Sequence, residues 1–119
     1  MGPVIKTVDN PLKVEIFIAG HVGEAIDTCR NFCDNVGLCV TITETSYVYR
    51  GGQEPGIIVG LINYPRFPTT EQKMVDTALN LAYRLLVDLE QLSFTVQGPS
   101  GAYFYSWREV DGYKGNNPW

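Results

Sequence analysis

Hydrophobic and polar positions change period several times along the chain. Lys13 to Ala19 alternates, with Val14, Ile16 and Ile18 on one side and Glu15 and Phe17 on the other, which predicts a half-buried strand ended by Gly20. From Val22 the apolar spacing becomes three and four. Val22, Ala25, Ile26, Cys29, Phe32, Cys33 and Val36 form the stripe of an amphipathic helix that Gly37 closes. Leu38 to Arg50 again reads as a strand, its leucine, valine and isoleucine on one face and its threonines and tyrosines on the other. Residues 50–56 hold three glycines and a proline and read as a turn-rich connection. Ile57 to Tyr64 follows as a strand whose nearly continuous apolar run suggests burial on both faces.

A second helix is expected from Thr69, with Gln72 as a capping-box partner and Met74, Val75, Ala78, Leu79, Ala82, Leu85, Leu86 and Leu89 as its buried stripe. Ser93 to Val96 is a further strand, Gly98 to Gly101 a turn, and Ala102 to Arg108 its hairpin partner. The order β-α-β-β-α-β predicts an α+β, ferredoxin-like antiparallel sheet, two helices on one face, extended by a C-terminal hairpin. The expected organisation is an N-terminal arm over 1–12, a single domain over 13–110 and a flexible tail over 111–119.

Composition narrows the function classes. The chain has 119 residues and a net charge of −4, with 9 Lys and Arg against 13 Asp and Glu. An acidic balance disfavours polymeric nucleic acid, whose phosphates need a cationic surface. No apolar run reaches the ~20 residues of a membrane-spanning helix. Three cysteines, two of them a helical turn apart, read as free thiols in a reducing cytoplasm. No metal-ligand spacing is present, so neither metal nor cofactor is expected.

Candidate chemistry lies at strand ends and on the sheet face the helices leave open. If Val14, Ile16, Ile18, Leu38, Val40 and Ile42 face the helices, then Glu15, Phe17, Thr41, Thr43, Tyr47 and Tyr49 face outward. The C-terminal hairpin adds Tyr103, Tyr105 and Trp107 to that face, or Phe104, according to register. Such a surface suits a second copy of the chain or a stacked base. Arg50, Arg66 and Arg108 stand beside aromatic residues at strand ends, where a guanidinium can hold phosphate and stack on a ring. Gly20 and His21, at a strand-to-helix junction, are a candidate anion site, although Gly20 also suits a simple tight turn. The carboxylates offer no convincing pair.

The segments Gly37-Leu38-Cys39-Val40-Thr41-Ile42-Thr43 and Val59 to Pro68 resemble stretches in small uncharacterised proteins of phages and prophages. That resemblance implies a counter-defence protein, either a sponge for a nucleotide immune signal or an inhibitor docking on a host protein. The combined expectation is a non-enzymatic, homo-oligomeric protein that sequesters a small anionic ligand such as a cyclic nucleotide. Arg50, Arg66 and Arg108 would act with Tyr47, Tyr64, Tyr103 or Trp107, and with Gly20 and His21. The alternatives are a protein-binding inhibitor of a host defence factor and a small enzyme centred on His21.

Overall fold

The computed structural model describes residues 2–115. Five strands form one antiparallel sheet: β1 (Lys13–Ala19), β2 (Thr41–Tyr49), β3 (Gly52–Ile62), β4 (Ser93–Gly98) and β5 (Gly101–Ser106), in the spatial order β2-β3-β1-β4-β5. Helices α1 (Val22–Val36) and α2 (Glu71–Asp88) cover one face. The first four strands and two helices follow the ferredoxin-like arrangement, and β5 extends the sheet beyond β4.

The pairing register explains which side is dry. Ile16 stands opposite both Val59 of β3 and Val96 of β4, and Ile42 stands opposite Val59. Partners across a ladder share a face, so these residues form the floor on which the helices lie. Above it, Met74, Val75, Ala78, Leu81, Ala82, Leu85 and Leu86 of α2 are buried. From α1 come Ala25, Thr28, Cys29 and Phe32. The α1 stripe is therefore narrower than the spacing predicts. Val36 stays exposed, and Thr28 enters the core because its hydroxyl donates to Asp88 Oδ2 at 2.7 Å, tying the helices together.

Helix ends follow local chemistry. Gly37 adopts φ 68°, and its N–H closes α1 on the Cys33 carbonyl. Thr70, one residue later than expected, caps α2 by accepting from the Lys73 N–H.

Two expectations are corrected. The connection over 50–56 is mostly strand: Tyr49 pairs with Gly52, Tyr47 with Glu54 and Ser46 with Pro55, leaving Arg50 and Gly51 as the turn. Glycine and proline are tolerated there because the hairpin runs past the end of β1, whose last partner on β3 is Gly56, so Pro55 needs no N–H for a second neighbour. Second, β3 is not buried on both faces: Ile58 is half-buried and Ile62 exposed, since among the described residues no layer covers the other side of the sheet. Beyond β5, at the junction of the expected domain and tail, Glu109–Asp111 forms a 3-10 turn capped by Gly112. Of the expected tail, residues 116–119 lie outside the described residues.

At the end of the sheet where β1 begins, Asn63 is 3% exposed and fully engaged. Its Nδ2 donates to the Asn10 carbonyl and Oδ1, both at 3.0 Å, while its Oδ1 accepts from Thr69 N at 2.9 Å. One side chain thus joins the chain before β1 to the start of α2.

Candidate functional site

The end of the sheet where β1 stops, beyond Ala19, carries a depression of about 200 Å³ on the open face. Phe17 of β1, Tyr47 of β2, Glu54 of β3, Thr95 of β4, Phe104 of β5 and Arg108 beyond it all contribute to the lining. Alternation puts these side chains on one face. Phe17 stands opposite Thr95, Thr95 opposite Phe104, and Tyr47 opposite Glu54.

Tyr47 is held in place on two sides. Its ring lies over Gly56, where an added Cβ would come within 2.1 Å of the ring, and its hydroxyl donates to the Ile57 carbonyl at 2.6 Å. Burial, reinforced by the nearby Glu54 carboxylate, pushes the phenol above its ordinary range, so Tyr47 keeps its proton at neutral pH. Glu54 is half-buried and has no hydrogen-bond or ion-pair partner among the described residues. Across the depression, Arg108 donates through one guanidinium nitrogen to Ser93 Oγ at 2.7 Å. Its backbone is fixed as well, its N–H donating to Ser106 Oγ and its carbonyl accepting from Asp111 and Tyr113. The site therefore offers aromatic faces, one carboxylate and one guanidinium with free donors.

The other residues singled out in the sequence scatter. Arg50 is on the β2–β3 turn at this end of the sheet but outside the depression. Gly20 and His21 are nearby in the chain, yet neither lines it. Gly20 adopts φ 137°, donates to the Pro55 carbonyl and packs so tightly on Leu89 that a Cβ would come within 2.8 Å, which makes it a turn residue. His21 is the exposed N-cap of α1 and makes no side-chain capping bond. Tyr64 and Arg66 lie at the opposite end, where the Tyr64 hydroxyl meets Cys39 Sγ at 3.6 Å and Arg66 rests over the Phe67 ring.

The hairpin register decides the remaining aromatics. Tyr103 stands opposite Val96 and Tyr105 opposite Phe94, so both face the helix side. Trp107 joins them, edge-on to Tyr83 of α2, while Tyr105 stacks on Phe94 with ring centroids 5.1 Å apart. Tyr103 and Trp107 thus stand apart from Arg108 and Tyr47, and Phe104 is the hairpin's aromatic contribution to the open face.

Glu54 is the residue that sequence reasoning passed over, because its segment reads as a loop. The signal was an aromatic beside a glycine across a hairpin: Tyr49 opposite Gly52 and Tyr47 over Gly56.

Among solved structures, the chain is similar to a phage SAM lyase in its apo state, with a TM-score of 0.67 and 16% identity over 87% of this chain and 96% of that one. It is also similar to a phage SAM lyase in complex with S-methyl-5'-thioadenosine, with a TM-score of 0.63 and 15% identity over 95% and 100%. No protein family and no curated protein matches the chain by sequence. At these identities the likeness is one of fold. The resemblance to phage proteins holds at that level, both neighbours being phage proteins that bear on a small molecule.

The same neighbours correct the expected function. Both are lyases, hence enzymes, and the bound molecule is a nucleoside thioether without phosphate. The reading of a non-enzymatic protein that sequesters an anionic nucleotide signal is therefore overturned.

Proposed function

We propose that this chain is an enzyme of the lyase class that cleaves S-adenosylmethionine and releases S-methyl-5'-thioadenosine, using the depression between Phe17, Tyr47, Glu54, Phe104 and Arg108. The observation that carries this reading is the chemical make-up of that depression. A sulfonium cation is attracted by aromatic faces and by a carboxylate, an adenine stacks on rings, and a substrate carboxylate pairs with a guanidinium. Phe17, Tyr47 and Phe104 supply the rings, Glu54 the negative charge and Arg108 the positive one.

The electron pair of the broken carbon–sulfur bond stays on sulfur, which leaves as a neutral thioether. No second substrate enters, so the departing chain completes its valence by closing on its own carboxylate or by shedding a proton. Charge collapses in either route. A site that excludes water and fixes the reacting atoms speeds such a step. In this chain Tyr47 and Arg108 are held by hydrogen bonds, and Glu54 is free to face the cation.

The depression remains open to solvent, with Phe104 62% exposed at its rim. A second copy of the chain laid on the open face would complete its wall, which supports a homo-oligomer as the working form. An enzyme of this kind would act in the host cytoplasm. Removing a methyl donor there would deprive host enzymes that use it, the sense in which the counter-defence reading survives.

The test is direct incubation of the protein with S-adenosylmethionine and chromatography of the products. Release of S-methyl-5'-thioadenosine is expected, falling at least tenfold in Glu54→Gln and Arg108→Ala. Intact substrate after prolonged incubation with the folded wild type sinks the proposal.

A further inference from the structure

Two features of the molecule play no part in the site above. The first is the segment before β1. Residues 2–12 form neither helix nor strand, and Val4 and Ile5 are 83% and 85% exposed. The longest dimension of the molecule is 59 Å against 29 and 28 Å for the others. The base of this arm is anchored, because Asn63 holds Asn10 by two hydrogen bonds and its N–H donates to the Leu12 carbonyl. In Val4-Ile5-Lys6-Thr7-Val8 every residue but the lysine is β-branched, a strand composition without a strand partner.

The second feature is the outer edge of β2, an edge strand of nine residues. Leu38, Val40 and Ile42 point toward the helix layer but are only half-buried, since α1 packs on α2 and β3 and leaves the flank of β2 uncovered. Ile26 of α1 is 38% exposed across the same gap, an open groove of about 310 Å³. Past Ile42 the row ends in the exposed carboxylate of Glu44. The opposite edge, β5, has no such gap, because Tyr105 and Trp107 already fill its helix-side flank against Tyr83.

We infer that the arm of one copy adds as an antiparallel strand to the outer edge of β2 in a second copy, with Val8 beside Ile42 and Lys6 beside Glu44. Unpaired strand edges recruit extended segments through backbone hydrogen bonds, and alternate side chains set the register. In that register Val8 covers the end of the apolar row at Ile42, Lys6 meets the carboxylate that closes it and Val4 lies beside Ser46, and the arm's own chain leaves these side chains exposed or half-buried. Exchange of this kind is reciprocal in a two-fold pair, each copy giving and receiving one arm.

Sedimentation of five forms tests this: the full chain, a chain lacking residues 2–8, Lys6→Glu, Glu44→Lys, and the double reversal. The deletion retains Asn10 and its clamp, and a matched melting temperature verifies that it folds. The full chain is expected to sediment as more than one copy, the deletion to lose mass, each single reversal to weaken association at least tenfold, and the double reversal to restore it. A full chain sedimenting as a single copy, a mass unchanged by the deletion, ineffective single reversals or a double reversal that fails to restore association would each overturn the inference. None of these outcomes depends on whether the protein cleaves S-adenosylmethionine.

Discussion

The two ends of the sheet carry similar residues and use them oppositely. Each has a tyrosine, an arginine and a turn rich in glycine or proline. At the end where β1 begins, polar groups are spent within the structure: Asn63 is saturated by Asn10 and Thr69, Tyr64 meets Cys39, and Arg66 lies over Phe67. At the end where β1 stops, the Glu54 side chain has no hydrogen-bond or ion-pair partner among the described residues, and Arg108 engages Ser93 through one guanidinium nitrogen. A polar group whose bonding capacity is used up holds chains together, whereas one fixed in place with capacity to spare can meet a ligand.

That contrast can be broken from either side. The largest effect on stability is expected at the saturated end. Asn63→Ala orphans the Thr69 N–H and two acceptors of Asn10, costing about 2–3 kcal/mol. Chemical denaturation should show the loss, while affinity for S-methyl-5'-thioadenosine in the folded protein stays within twofold. A tenfold change in that affinity would mean the two ends are not separate.

Gly56→Ala comes next and acts at the site end. A methyl group there would fall inside the Tyr47 ring and near the Ile18 carbonyl, so the ring must swing away, at a cost of about 1–3 kcal/mol. Because Tyr47 lines the depression, calorimetry should show ligand binding lost together with part of the stability.

Arg108→Ala should leave stability within about 0.5 kcal/mol, as for an exposed side chain. Its signature is instead a rise of roughly tenfold in KM for S-adenosylmethionine, whose carboxylate it is proposed to hold, the scale of one charge-assisted hydrogen bond.

The smallest effect, a pH slope, serves as a control belonging to neither end. Burial beneath α1, with Cys33 nearby, pushes the Cys29 thiol up from 9.0 to about 12. Its folded-state value is raised, so its contribution to stability is complete below pH 9 and is lost as pH climbs toward 12. Melting temperature should fall more steeply over that window in wild type than in Cys29→Ala, and turnover should share none of the difference.

Reading the chain alone recovered the periodic elements. The alternation over Lys13–Ala19 and the three-four spacing over Val22–Val36 coincide with β1 and α1, because burying one face imposes a repeat that survives in the sequence. Much less of the candidate site was legible. Tyr47 and Arg108 were singled out, but they were grouped with Tyr64, Arg66, Tyr103 and Trp107, which the fold places elsewhere. Glu54 was missed because glycine and proline around it mark a loop in most chains, and only the cross-strand fit of Tyr47 over Gly56 makes it a strand.

By itself, the sequence determined the order of elements, the face on which the helices lie and the place where the first helix stops. Periodicity and capping are local, and a single chain states them openly. Tertiary structure alone decided the register of the last hairpin, which sends Phe104 outward and Tyr103, Tyr105 and Trp107 toward the helices. It also decided which end of the sheet keeps free polar groups. Both depend on partners distant in the chain, since a one-residue slip turns every side chain of a strand to the other face.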